Sequence, residues 1–176
     1  MTKRLFIGIE LPIELKQELG RLVGQLTEKY PEVKAESEEK LHLTLKFLGN
    51  TQKLPEIILS HLTRKLIGQP RFALQIKEIG FLISKSVSLI VEVQKQEELL
   101  RTYHKINNEM ETLGFPRDKR EFHPHVTIAR CKETFAFVPN NKVYKPFLVS
   151  QITLFQSTLT SRGSKYTKLN QINLGA

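Results

Sequence analysis

The sequence predicts an α+β fold of two pseudo-symmetric antiparallel-sheet lobes, with helices on the outside and a central groove. Apolar runs typical of strands alternate with stretches of helical periodicity. The order strand, helix, His-x-Thr strand, helix, strand also recurs in both halves of the chain. The two His-x-Thr triplets begin at His42 and His125, about half of the 176 residues apart. We therefore expect a single domain over residues 1–176, made of two intertwined lobes that each supply one triplet.

The first half of the chain carries two strands and two helices. Residues 4–9 form an apolar run typical of a buried strand, and Pro12 marks the start of an amphipathic helix that extends to about residue 29. A polar, acidic loop then leads to a strand over residues 41–49, which ends at a glycine. Helical periodicity returns over residues 55–67.

The second half contains more strands and one clear helix. Residues 95–114 carry an apolar stripe at helical spacing, and Gly114 is placed to end the helix. A basic loop over residues 116–124 leads into the second triplet. Strands are expected at residues 72–83, 86–93, 125–130, 147–159 and 165–174.

The charge of the chain points to an anionic partner. The formal net charge is +9 and the isoelectric point is about 9.7, which favours nucleic acid over a membrane because no basic amphipathic helix is evident. No acidic residue follows Glu133. The basic residues of this tail form either a solvated surface or a face that attracts phosphate, and they are Lys142, Lys145, Arg162, Lys165 and Lys168.

The remaining composition suits a cytoplasmic protein. Cys131 is the only cysteine, so no intramolecular disulfide can form, and its place at the end of an apolar strand favours an inert thiol. Glu10 and Pro12 interrupt the short N-terminal apolar run before a signal-peptide core develops. We expect a monomer without a membrane association or an obligate protein partner.

The two triplets are the candidate catalytic elements. In a strand, residues two apart face the same side, so His42 and Thr44 share a face, as do His125 and Thr127. A neutral imidazole, a protonated imidazole and two hydroxyl groups that converge on one point can cleave a phosphodiester without a metal ion. The alternative is that each histidine is a structural residue satisfied by a neighbouring carbonyl.

Two basic residues lie close to the triplets in sequence. Strand parity places Arg130 opposite His125, so its guanidinium reaches a phosphate only if twist or a bulge turns it inward. The same parity places Lys46 on the groove side, where it could assist binding of the substrate backbone. A nucleotidyltransferase lysine is the less favoured interpretation, because that motif requires an aspartate where Leu48 stands.

A metal site is the competing interpretation of the second motif. His123 and His125 form a His-x-His pair, but zinc requires a third and usually a fourth ligand. Asp118 and Glu121 are the nearest carboxylates, and their spacing matches no ligand pattern. We therefore expect no metal ion and no cofactor, and we place His123 in a loop outside the chemistry. Structural roles within helices are expected for His61 and His104.

The paired motifs HLTLKFLG and HPHVTIAR resemble those of the two-histidine (2H) phosphoesterases. The opening RLFIGIELP, the KFLG after the first triplet and the HPH at the second resemble the bacterial and archaeal RNA 2′,3′-cyclic phosphodiesterases, historically called 2′-5′ RNA ligases. The resemblance spans nearly the whole chain. It implies a bilobal α+β fold and an RNA substrate that ends in a 2′,3′-cyclic phosphate.

The resemblance also implies a role for each site residue. His42 would be the proton donor and His125 the proton acceptor, while Thr44 and Thr127 would hold the phosphate oxygens, with help from Arg130. The product would be a 2′-phosphomonoester, and the same site could join a 5′-hydroxyl to a cyclic phosphate. The alternatives are a phosphodiesterase for a small cyclic nucleotide and an RNA-binding module without turnover.

Overall fold

The computed structural model describes residues 2–84, 86–135, 143–161 and 163–175, and it confirms the α+β class. The α-helices in these residues are α1 (Ile13–Lys29), α2 (Pro55–Leu66) and α3 (Glu97–Thr112), and a short 3₁₀ helix covers Glu38–Lys40. The strands are β1 (Lys3–Glu10), β2 (Lys34–Ala35), β3 (His42–Thr51), β4 (Phe72–Leu74), β5 (Ile76–Ile83), β6 (Val87–Val93), β7 (His125–Cys131), β8 (Phe147–Val149), β9 (Gln151–Thr160) and β10 (Gly163–Asn173).

One antiparallel sheet contains both triplets. Its strand order is β10-β9-β1-β3-β7-β6-β5, and the short β2 pairs with β7. At the centre, β3 pairs with β7 through Leu43 and Val126, which are the middle residues of the two triplets. Four strands lie on the β3 side of this junction, and the others lie on the β7 side. The two halves of the sheet therefore meet at the triplets, and the antiparallel register places each histidine opposite the threonine of the other triplet.

The helices cross between the two halves. The helix α1 follows β1 in the chain but packs against β2 and β7, on the other side of the junction. The helix α3 follows β6 but packs against β3 and α2. Both helices bury their apolar stripes in the same continuous core as Leu43 and Val126. The chain thus ties the two halves together across the junction where the triplets lie.

Two expected strands are divided in the structure. Residues 72–83 break at Gln75 and residues 147–159 break at Ser150. The Gln75 side chain donates to the carbonyl oxygens of Ile76 and Tyr144 at 2.9 and 2.7 Å, which anchors the break through polar contacts that the apolar pattern does not encode. The short pieces β4 and β8 then pair with each other as a separate two-stranded sheet.

Candidate active site

The two triplets line one cavity of about 110 Å³ at the junction of β3 and β7, called the groove below. In each strand the middle residue is fully buried in the core, while the histidine and threonine on either side of it are half-buried toward the groove. Alternation along a strand explains this division. The groove is lined by Glu36, Lys40, His42, Thr44, Phe47, His125, Thr127, Arg130 and Tyr166.

A backbone carbonyl orients each imidazole in the same way. Nδ1 of His42 lies 2.6 Å from the carbonyl oxygen of Lys40, and Nδ1 of His125 lies 2.6 Å from that of His123. Because a carbonyl only accepts, Nδ1 carries the hydrogen in both rings. The Nε2 atoms are left to exchange protons, and Nε2 of His42 lies 3.0 Å from Oγ1 of Thr44.

A β-bulge in β7 turns Arg130 into the groove. Ile90 pairs with Thr127 and Leu89 pairs with Ala129, so Ile128 is the extra residue on β7. Ile128 and Ala129 are both buried, and the next side chain returns to the groove side. Simple parity placed Arg130 on the opposite face, and the bulge is the physical reason that it lines the groove.

The same bulge occurs in β3 and has the opposite effect on Lys46. Gly8 pairs with Thr44 and Ile7 pairs with Lys46, so Leu45 is the extra residue. The expectation that Lys46 faces the groove is therefore wrong: its side chain is buried, and its amine donates to the carbonyl of Pro116 at 2.6 Å in the neighbouring cavity. Burial lowers the pKa of this amine.

Because of the bulge, Phe47 faces the groove in place of Lys46. It is 64% exposed and lines the groove at the position that matches Arg130 in the other triplet. It was not among the residues predicted from the sequence. Aligning the two motifs residue by residue, with one extra residue in each strand, would have matched Phe47 with Arg130. The two halves of the site thus offer one aromatic ring and one guanidinium beside the same pair of imidazoles.

An aromatic box surrounds His42. The ring centroids of Phe6, Tyr166 and Phe155 lie 4.8, 5.3 and 5.7 Å from that of the imidazole, and Tyr166 meets it edge to face. Removal from solvent is the main cause that lowers the pKa of His42, and the charge of Lys16 lowers it further. No local pattern marks Tyr166 as a site residue, because its strand is separated from β3 by two others.

The surroundings of His125 are more polar. Burial is again the largest cause and lowers the pKa of His125, while the carbonyl of His123 and the charge of Glu92 oppose this change. Glu92 lies opposite His125 in the sheet, and its carboxylate is 3.2 Å from Nε2 of His123. His123 thus contributes its backbone carbonyl to the site, and its imidazole contacts the carboxylate of Glu92.

Arg130 is held in place by a carboxylate. Its Nε donates to Glu36 at 2.9 Å, and Lys40 approaches the other oxygen of Glu36 at 3.3 Å. The guanidinium keeps further N–H donors beyond this contact, and these suit the oxygens of a phosphate. Glu36 therefore positions the cation at the edge of the groove.

The other polar candidates lie away from the groove. His61 contacts Glu109 at 2.7 Å between α2 and α3, and the ring of His104 meets that of Tyr103. Cys131 is buried, and burial raises the pKa of its thiol. Across the described ranges, no group of three or more His, Cys, Asp or Glu side chains is placed to hold a metal ion.

The basic tail is distributed along β10 and the segment before β8. Lys168 forms an ion pair with Glu10 at 2.7 Å, and Lys165 is exposed at the edge strand of the sheet. Lys142 and Arg162 lie outside the described residues. No helix in the described part of the chain is both long enough and apolar enough to cross a bilayer.

Comparison with known proteins identifies the family. A model of the 2′-5′ RNA ligase superfamily matches residues 12–157. An RNA 2′,3′-cyclic phosphodiesterase of Methanocaldococcus jannaschii is 32% identical, over 96% of this chain and 99% of that protein, and one of Thermotoga maritima is 30% identical, over 94% and 92%. The crystal structure of E. coli LigT complexed with 3′-AMP matches at a TM-score of 0.83 and 28% identity, with 100% of both chains covered. The chain belongs to the 2′-5′ RNA ligase superfamily.

Proposed function

We propose that the protein hydrolyses the 2′,3′-cyclic phosphate at the 3′ end of an RNA to a 2′-phosphomonoester. The observation that carries the proposal is the pair of imidazoles, each with Nδ1 bound to a carbonyl, that share one cavity with two threonines and an arginine. The names of the curated relatives, RNA 2′,3′-cyclic phosphodiesterase, support the same substrate.

The reaction requires one proton acceptor and one proton donor. Neutral His125 takes a proton from water through Nε2 while the water oxygen attacks phosphorus. The bond between phosphorus and the 3′ oxygen breaks, and His42 delivers a proton from Nε2 to that oxygen. Each such proton transfer is typically worth about 10²–10⁴ in rate. At the end of the cycle the two histidines have exchanged protonation states, and solvent restores them.

The aromatic box suits His42 as the proton donor. An imidazolium with a lowered pKa is a stronger acid and gives its proton more readily to a leaving alkoxide. The cost is a small protonated fraction in the free protein at neutral pH. The negative charge of the bound phosphate offsets this cost, because an anion beside an imidazole favours its cationic form.

The remaining groove residues bind the phosphate and the nucleoside. The hydroxyl groups of Thr44 and Thr127 and the guanidinium of Arg130 stabilise the charge that grows on the non-bridging oxygens. The exposed ring of Phe47 offers a flat apolar surface on which the terminal base can stack. If a 5′-hydroxyl replaces the attacking water, the same bond cleavage leaves a 2′-5′ phosphodiester that joins two RNA ends.

The direct test compares three kinds of substrate. The protein is incubated with an oligoribonucleotide that ends in a 2′,3′-cyclic phosphate, with free 2′,3′-cyclic nucleotides and with a linear 2′-5′ dinucleotide, and the products are identified by mass and by sensitivity to phosphatase. We expect a 2′-phosphate from the oligoribonucleotide. Turnover of the free nucleotides alone would favour a small-nucleotide phosphodiesterase, and binding without turnover would favour an RNA-binding module.

We further propose that the protein works as a cytoplasmic monomer without a metal cofactor. The lone buried cysteine is compatible with a reducing compartment, and the two-histidine chemistry includes no step that needs a metal ion. Turnover is expected to be unchanged in EDTA. A strict requirement for a divalent cation would contradict this proposal and revive the His123–His125 metal pair.

A further inference from the structure

A larger cavity adjoins the groove on the side of Phe47. Its volume is about 460 Å³, and it lies between β3, α3 and the segment 116–123. It shares Thr44, Phe47 and His125 with the groove. The two cavities are therefore adjacent, and the larger one begins beside the position of a phosphate at the two imidazoles.

The wall of this cavity is aromatic. The rings of Tyr103 and Phe122 stack on each other with centroids 3.9 Å apart and an angle of 11° between their planes. Phe47 stands at the boundary with the groove. Tyr103 is buried, so the accessible aromatic faces along this path are those of Phe47 and the half-buried Phe122. Such faces suit unpaired nucleobases, since every base has a face that can stack.

Cations follow the same path outward. Arg117 and Arg120 line both this cavity and a second one of about 730 Å³, which also takes in Lys119. The guanidinium of Arg120 is paired with Asp118 at 3.1 Å. Arg117 and Lys119 form no ion pair with any residue that the structure describes, so their charges are available to phosphate groups. We call the two joined cavities the trough.

The opposite end of the groove is less suited to a polyanion. There the carboxylate of Glu36 contacts Arg130 at 2.9 Å and Lys40 at 3.3 Å, so it offsets one of these two positive charges, and Arg130 is already engaged by the catalytic phosphate. The trough also holds the carboxylates Asp118 and Glu121, but Asp118 is paired with Arg120 and Glu121 with Lys95, which leaves the charges of Arg117 and Lys119 in excess on that side. The charge distribution thus gives the bound strand a direction.

We propose that the trough binds the RNA strand on the 5′ side of its cyclic phosphate end. Bases stack on the accessible face of Phe122, which the buried ring of Tyr103 supports from behind, and the phosphates that link them lie near Arg117 and Lys119. The protein therefore prefers the ends of RNA chains to cyclic mononucleotides. This inference rests on the proposed function, since the catalytic phosphate sets where the strand begins.

The test uses substrate length as the variable. The value of kcat/KM is measured for a cyclic mononucleotide and for di-, tri- and pentanucleotides that end in a cyclic phosphate, in the wild-type protein and in Arg117→Gln and Lys119→Gln variants. Lys65→Gln is the matched control, because Lys65 is an exposed residue of α2 that lines neither cavity. Thermal unfolding checks that all the variants are folded.

We expect kcat/KM to rise with length in the wild type and to fall several-fold for the pentanucleotide in both trough variants. Turnover of the mononucleotide should not change in them. The slope of log kcat/KM against log salt concentration for the pentanucleotide should become shallower by about 0.7 for each phosphate that the variant no longer neutralises. Equal wild-type kcat/KM at every substrate length, or equal losses of kcat/KM on all substrates in the trough variants, would overturn the proposal that the trough binds the RNA strand. Absence of turnover on every substrate would instead overturn the proposed function.

Discussion

Removal of the Arg130 side chain tests whether the bulge in β7 has a catalytic purpose. Arg130→Ala deletes the only groove guanidinium in the described residues and leaves Glu36 beside the phosphate site. The side chain of Arg130 is 55% exposed. Loss of its ion pair should therefore change stability by less than about 1 kcal/mol, and the variant should remain folded.

The expected loss of activity has two parts. A hydrogen bond from a charged donor is worth about 1.5–3 kcal/mol, which corresponds to roughly 10–150-fold in kcat/KM. The uncovered carboxylate of Glu36 adds repulsion, because unit charges about 4–8 Å apart interact by roughly 2–4 kcal/mol at an effective dielectric constant near 20. Contact with Lys40 and solvent reduces this second part. We therefore expect a loss near the upper end of the first range.

The assay is steady-state hydrolysis of an oligoribonucleotide that ends in a 2′,3′-cyclic phosphate. Arg130→Ala, Glu36→Gln and the double variant are compared, with thermal unfolding as the control for folding. Neutralising Glu36 should recover part of the activity in the Arg130→Ala background, and this recovery separates repulsion from the absent hydrogen bond. A loss below about threefold for Arg130→Ala, or no recovery in the double variant, would refute the reasoning.

The groove supports three further predictions. Burial lowers the pKa of both His42 and His125, so the alkaline limb of the bell-shaped kcat/KM profile should lie below about pH 6.5. The kcat profile should lie at higher pH, because bound phosphate favours the protonated donor. An alkaline limb of kcat/KM well above about pH 7 would contradict this prediction. Gly8→Ala places a Cβ 2.8 Å from the carbonyl oxygen of Leu43, so it should lower the free energy of unfolding by about 1–3 kcal/mol, as measured by denaturant unfolding. An unchanged unfolding midpoint would show that the strands adjust freely. Phe47→Ala should raise KM more than it lowers kcat, and the reverse split would argue against base stacking.

Much of the site could be predicted from sequence because strand alternation is a local property. His42 and His125 line one groove with their threonines, as two apolar strands with histidine and threonine on the polar face predicted. The positions of Arg130, Lys46 and Phe47 could not be predicted in the same way. They depend on a bulge after each threonine, and a bulge is set by register against a neighbouring strand distant in sequence.

The fold shows the same limit. Periodicity located the long helices and strands, but it did not indicate that α1 and α3 cross to the opposite half of the sheet. It also did not locate the breaks at Gln75 and Ser150, because each break lies within an apolar pattern that is typical of one strand. Backbone pairing partners and side-chain hydrogen bonds over long sequence separations decide these features.

The opposing roles of the two histidines are the central claim, and a sulfur substrate tests them directly. Sulfur replaces the 3′ oxygen of the terminal cyclic phosphate, and a thiolate leaves without needing a proton. We expect His42→Ala and His125→Ala both to lose turnover on the oxygen substrate, and only His42→Ala to recover it on the sulfur substrate. Recovery by His125→Ala alone would reverse the roles, and full activity of either variant on the oxygen substrate would contradict the account.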